Sequence, residues 1–183
     1  TSNATAFQGS DAGVQVDEKR SLSVGAAYAC INFLSRTKAT MPRKITRRED
    51  RSRKEVRTDE FKHLWGRANP SQTGYSAWET MTAAEEGWGN GYFWTGRDKG
   101  IRYNQDKPWL GVRELWPLFP QRVKVGVYPD NTKGYQLDGT VGEPYTAEQI
   151  LHIPSFSIDG VHGLSPARVG AQAMGLSIAA EKF

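Results

Sequence analysis

An α+β fold, with mixed or antiparallel strands and helices packed on them, is what these 183 residues encode. Apolar residues recur every three to four positions near the start, middle and end of the chain, the spacing of helices with one buried face. Between the last two helices they alternate instead, most cleanly over 122–128, where Val123, Val125 and Val127 share one side. Turn residues cut that stretch into short segments, the pattern of antiparallel connections.

Residues 1–20 are rich in Gly, Ser, Asp and Gln and read as a flexible arm. Ser2-Asn3-Ala4 has the look of a cloning remnant and is left out of the fold argument. A single domain then spans 21–183. Its first helix fits 23–39, capped by Ser21 or Ser23, with Ala27, Tyr28, Ile31, Leu34 and Lys38 on one stripe and Cys30 beside it. Pro42 ends it and disfavours helix at Met41. A strand over 43–48, a turn at 49–53 and a return strand over 54–58 make a hairpin.

Asp59 caps a short helix carrying Phe61, Leu64 and Trp65, closed by the turn Asn69-Pro70. A longer helix fits 75–88, with Trp78, Met81, Ala84 and Glu85 at helical spacing, broken by Gly87, Gly89 and Gly91. Strands follow over 92–97, 112–119, 122–128 and 134–137. One helical turn at 146–149 precedes a strand over 150–154. Ser165-Pro166 is an N-cap with Pro at the first helical position. The last helix runs from there to the end and is rich in small residues. Gly170, Ala171, Ala173 and Met174 form its candidate packing or interface face.

Composition excludes several classes. The chain is 38% hydrophobic and 24% charged, ordinary for a globular protein and unlike a disordered or collagenous one. No apolar run reaches a membrane span and no signal-peptide core is present. One cysteine rules out an internal disulfide framework, and with three scattered histidines it argues against a structural zinc site. The net charge is +4, and residues 43–57 alone carry eight basic and three acidic residues. The basic set is Arg43, Lys44, Arg47, Arg48, Arg51, Arg53, Lys54 and Arg57. It suits either a nucleic-acid contact or a solvated hairpin whose charges protect a sheet edge. No aromatic interrupts it, which argues against single-strand stacking there.

Catalytic motifs are not evident. Gly87-Trp88-Gly89-Asn90-Gly91 lies between a helix and a following strand, the reverse of a phosphate-binding loop, and reads as a C-cap and turn. Glu85 and Glu86 are neighbours on a helix and point apart, so they do not make a glycosidase pair. The six Trp residues follow the elements and read as core anchors rather than a sugar groove. Cys30 reads as packing. His152 reads as a structural histidine on a strand, and His162 as part of a turn. A hydrolase using either histidine stays open, although no Gly-x-Ser-x-Gly elbow exists.

Six stretches, in order, resemble phage portal proteins, the head–tail connectors of long-tailed phages. Ala26-Ala27-Tyr28-Ala29-Cys30-Ile31-Asn32-Phe33-Leu34 with Met41-Pro42 is similar to that family's opening helix. His63-Leu64-Trp65 with Asn69-Pro70, Gly89-Asn90-Gly91-Tyr92, and Glu114-Leu115-Trp116-Pro117-Leu118 with Arg122-Val123 follow. Then come Ile150-Leu151-His152-Ile153 and Gly160-Val161-His162-Gly163-Leu164-Ser165-Pro166-Ala167-Arg168. The family's Tyr-Gly-Asn-Ala is here Trp88-Gly89-Asn90-Gly91, and its Leu-Asp-Pro is Leu118-Phe119-Pro120.

The resemblance implies a portal wing-like domain, truncated before the stem, clip and crown. It implies a non-enzymatic subunit of a dodecameric ring at a capsid vertex. Double-stranded DNA would pass through that ring without sequence readout. It further implies partners in terminase, capsid or scaffold and tail adaptors, no cofactor, and a place in the virion and, during assembly, the host cytoplasm, from a prophage. The alternative from the residues alone is a nucleic-acid-binding module using the 43–57 hairpin, which sits where that family has a variable charged hairpin.

Overall fold

The computed structural model describes residues 16–44, 46–49, 52–55, 65–97 and 111–180. Helices α1 (Glu18–Ser21) and α2 (Gly25–Thr40) open it, followed by a hairpin of β1 (Thr46–Glu49) and β2 (Ser52–Glu55). A small hairpin, β3 (Arg67–Asn69) and β4 (Gln72–Thr73), leads into α3 (Gly74–Trp88). Strands β5 (Asn90–Arg97), β6 (Val112–Leu118), β7 (Val123–Val127), β8 (Lys133–Leu137), β9 (Tyr145–Thr146) and β10 (Ile150–Pro154) come next, then α4 (Pro166–Val169) and α5 (Ala171–Ala180).

Strand β5 is the spine. It lies between β10 and β6 in a three-stranded sheet, and a second sheet has the order β7–β8–β9. Every pairing is antiparallel. One side of the central sheet packs on α3: Phe93 and Leu115 meet Ala68, Ala77 and Met81, with Trp65, Trp78, Leu151 and Ile153 around them. The other side meets the β7–β9 sheet through Tyr92, Ile150, Val123 and Tyr135. Period-two alternation explains the split, because Tyr92 and Phe93 are consecutive and face opposite layers. Covered on both sides, β5 is buried at five of its eight positions, so it reads as an aromatic run rather than an alternating one.

Local chemistry sets the ends. Thr73 caps α3 by accepting from Ser76 N, and Gly89 closes it in the left-handed conformation at φ 78°. Gly87 stays inside that helix and Gly91 inside β5, so only Gly89 is the breaker. Asn69 Nδ2 donates to the Leu115 carbonyl at 2.9 Å and fastens the β3–β4 hairpin to β6. Asn69-Pro70 is the turn of that hairpin rather than a helix stop. The expected short helix after Asp59 lies outside the described residues except for Trp65 and Gly66, which are helical. The 98–110 loop also lies outside them.

Other expectations are corrected. The arm reading does not extend to 16–20: Val16, Glu18 and Ser21 are buried, and Glu18 pairs with Arg168 at 3.1 Å. Neither Ser21 nor Ser23 caps α2, whose first residue is preceded by Val24. Their hydroxyls donate instead to carbonyls of α1 and its end, those of Glu18 and Arg20. Residues 147–149 form a turn, with Gln149 N donating to Thr146 O, after the two-residue strand β9. The final helix is interrupted at Gly170. Glu85 and Glu86 do not point apart: both carboxylates reach Lys38 Nζ, at 3.1 and 2.5 Å, because α2 lays that lysine across the ridge between them.

Candidate functional site

Three surfaces concentrate the chemistry of the described residues. The first is a polar clasp. Gly89 turns the chain out of α3, so the next residue, Asn90, starts β5 opposite Pro154 of β10. Its Oδ1 accepts from Gly163 N at 2.9 Å and meets His152 Nε2 at 3.0 Å. Its Nδ2 donates to Gly163 O at 3.1 Å. Ser155 N adds a bond to Gly89 O. One amide therefore ties the 155–164 loop to the central sheet.

His152 is sandwiched by aromatic rings, stacked on Tyr92 at 4.4 Å and edge-on to Tyr135 at 5.8 Å. Since Asn90 Oδ1 can only accept, Nε2 carries the proton, and Nδ1 is buried without a partner. Burial, with help from the Lys133 and His162 charges, lowers the His152 pKa from 6.5 to about 4. The folded state thus binds this proton less tightly than the unfolded chain does. Stability contributed here is complete above about 6.5 and is lost as pH falls towards 4. His152→Gln keeps a donor for Asn90 and does not titrate. Its Tm is expected to vary less than wild type between pH 6.5 and 4.5, read by thermal denaturation at fixed ionic strength.

Within the loop, Asp159 Oδ1 accepts from Ser157 Oγ, Val161 N and His162 N, and its Oδ2 from His162 Nδ1 at 3.0 Å. The bond from the His162 ring, then the backbone amides, hold the Asp159 carboxyl below its usual range. The hydroxyl of Ser157 faces the carboxylate and not the imidazole, so the group builds a turn rather than a nucleophile–base pair. This matches the expected turn role of His162.

The second surface is the basic hairpin. Arg43 leaves the expected contact set: its guanidinium donates to the Lys38 and Ala39 carbonyls, capping α2, and lies 4.4 Å from the Trp78 ring. Lys44 pairs with Glu55 at 3.5 Å. Arg48, Arg53 and Lys54 are exposed. Arg51 and Arg57 lie outside the described residues.

The third is a cleft of about 500 Å³ between α2, α3, α4 and α5, lined by Ala27, Cys30, Ile31, Leu34, Ala173 and Met174 among others. The expected packing face divides here. Ala171 is buried within the chain, Gly170 and Met174 are half-buried, and Ala173 is exposed along the cleft. The α2 stripe also departs from expectation. Tyr28 (55%) and Leu34 (40%) are exposed, as is Cys30, while Ser35 and Ala39 are the buried positions. Among the described residues no three His, Cys, Asp or Glu side chains gather to hold a metal, and no helix is long and apolar enough to cross a membrane.

A family model described as phage portal protein matches residues 25–183. The chain belongs to the phage portal protein family. A comparison with curated proteins gives no match. Among solved structures, the chain resembles a component of the neck of an empty GTA particle computed with C6 symmetry, at TM-score 0.68 and 22% identity over 97% of this chain and 42% of that one. It resembles a component of the native GTA neck computed with C12 symmetry, at 0.66 and 22% over 90% and 41%. It also resembles a chain of the native gene transfer agent virion, at 0.64 and 21% over 91% and 44%. This portal chain thus spans about two fifths of the length of those neighbours.

Three of the portal-like stretches converge on the clasp: Asn90 in the first, His152 in the second and Gly163 in the third. Their 62- and 73-residue separations hide that junction from the sequence, although a polar Asn flanked by glycines beside an aromatic strand is a signal for it. The six stretches therefore owe part of their pattern to one piece of architecture.

Proposed function

We propose that this chain is the wing portion of a portal subunit, which closes with copies of itself into a ring at a capsid vertex and there forms the channel for packaging and ejecting double-stranded DNA. The family match over 25–183 carries the reading, and the likeness to neck structures computed with C6 and C12 symmetry supports the ring. A cyclic ring needs two different, complementary patches on each subunit. In this reading Ala173 and Met174 along the cleft, with Gly170 behind them, lie on the contact with the neighbouring subunit. The role is structural: docking terminase, capsid and tail adaptors rather than catalysing a reaction. Its place is the virion, after assembly in the host cytoplasm from a prophage genome.

Negative-stain imaging of the full-length protein is expected to give end-on rings with a central hole. Native mass measurement of the 183-residue piece then tells whether the wing suffices for closure. A full-length protein that stays monomeric at high concentration overturns the ring.

A further inference from the structure

Asn90 Oδ1 serves two donors. It accepts from Gly163 N at 2.9 Å and from His152 Nε2 at 3.0 Å. The other nitrogen of that ring, Nδ1, is buried with no partner. A second proton there finds no acceptor, and a buried charge without one is costly. Tyr92 of β5 stacks on the imidazole and Tyr135 of β8 meets it edge-on. Burial raises the pKa of both hydroxyls, so neither supplies an anion. The charges that act on the ring are those of Lys133 on β8 and of His162, both unfavourable to a second proton. Both are tied to the 155–164 loop. His162 lies in it, and Lys133 Nζ donates to Gly160 O at 3.0 Å. Asp159, the loop's one acid, is taken up by Ser157, Val161 and His162. The strand that carries the ring is held separately, because β10 pairs with β5 from Ile150 to Pro154 through the backbone.

We propose that the clasp is an acid-sensitive latch, in which protonation of His152 releases the 155–164 loop while the central sheet stays folded. Letting the loop go frees the Asn90 amide, lets the charged ring turn to water and carries the His162 charge away from it. Unlatching the side chains leaves the β5–β10 ladder intact, so the opening is local. The direction follows from linkage. Burial lowers the His152 pKa to about 4 in the latched state, so the latch is engaged at pH 7 and opening takes up a proton as pH falls. The loop carries Phe156 and Ile158, which are 74% and 79% exposed, so the latch fixes where two large apolar side chains are presented. The inference concerns the fold of one subunit and does not rest on the ring.

Amide hydrogen exchange of the chain at pH 7 and pH 5, corrected for the intrinsic exchange rates, tests it. The Gly163 amide, which donates to Asn90, is expected to be less protected than that of Phe93 at both pH values. Its protection should not respond to low urea, as for a local opening. Between pH 7 and pH 5 it should fall by roughly tenfold or more, the loss set by a histidine that regains its ordinary pKa on opening. In H152Q, which keeps a donor for Asn90 and does not titrate, Gly163 protection is expected to change less than threefold over the same range. The wild-type series reads the latch without the variant. Gly163 protection that is the same at pH 7 and pH 5 overturns the proposal. So does Gly163 protection equal to that of Phe93, which would mean that the loop opens only with the whole fold. A fall in H152Q as large as in wild type overturns it too.

Discussion

Gly89→Ala is expected to destabilise the protein by about 3–5 kcal/mol. Gly89 sits at φ 78°, and a Cβ there would lie 2.3 Å from the Leu164 carbonyl oxygen and 2.7 Å from that of Gly163. The left-handed conformation alone costs an L-residue roughly 1–2 kcal/mol. The larger part comes from backbone that must move. Gly89 ends α3 by donating to Glu85 O and accepts from Ser155 N, while its neighbour Asn90 holds both polar backbone atoms of Gly163. Pushing the loop away leaves those groups unpaired in a part-buried place, at about 1–3 kcal/mol each. Two variants separate the causes. Gly89→Asn tolerates positive φ but keeps the Cβ collision, so it should lose nearly as much in urea denaturation. Gly139→Ala also pays a positive φ, 83°, but meets nothing within 4 Å, so it should lose only about 1–2 kcal/mol. If Gly89→Asn retains wild-type stability, conformational strain and not collision governs the site.

Phe93→Ala should cost about 3–5 kcal/mol. Phe93 is fully buried between α3 and the central sheet, edge-on to Trp78 at 5.1 Å. Most of its neighbours cannot close the gap, the flexible Met81 being the exception. Ala68 and Ala77 are too small to reach in, and Leu115 is carried by a backbone whose carbonyl Asn69 holds at 2.9 Å. The cavity therefore stays open and its unfilled volume adds to the lost transfer energy. Against a total stability of about 5–15 kcal/mol this is a large fraction, and Tm should fall by roughly 10 °C in a chain of this length. Phe93→Leu should lose less than half as much. A Phe93→Ala protein that melts as wild type would show that the α3–sheet interface repacks freely.

Phe93→Ala weakens the whole body and should also lower the yield of rings through instability.

Short-range chemistry was legible from the residues. Ser165 is the cap its side chain suits. Pro42 does follow the end of α2, and period-two alternation does mark β7. These signals act within four residues of chain, although the equally local Ser21 or Ser23 cap was displaced by carbonyls of α1 and its end. The portal-like stretches were legible as well, because they mark turns and strand ends. What a surface meets was not legible. Of the apolar stripe read for α2, Ile31 and Lys38 do meet α3, but Tyr28 and Leu34 are exposed, while Ser35, which meets Thr82, and Ala39 are the buried positions. Arg43 belonged to the charged run by composition, but Trp78 and the α2 carbonyls, residues on two different elements, claim its guanidinium. Glu85 and Glu86 diverge on an isolated helix and converge only because another helix supplies Lys38. The residues by themselves determined some element ends, such as Pro42 just past α2 and Ser165 just before α4, and which family the chain joins. Tertiary structure alone decided which face of α2 is covered, which cations remain exposed, and that Asn90, His152 and Gly163 form one clasp. Caps and periodicity act locally along the chain, whereas burial and pairing depend on groups that only the fold brings together.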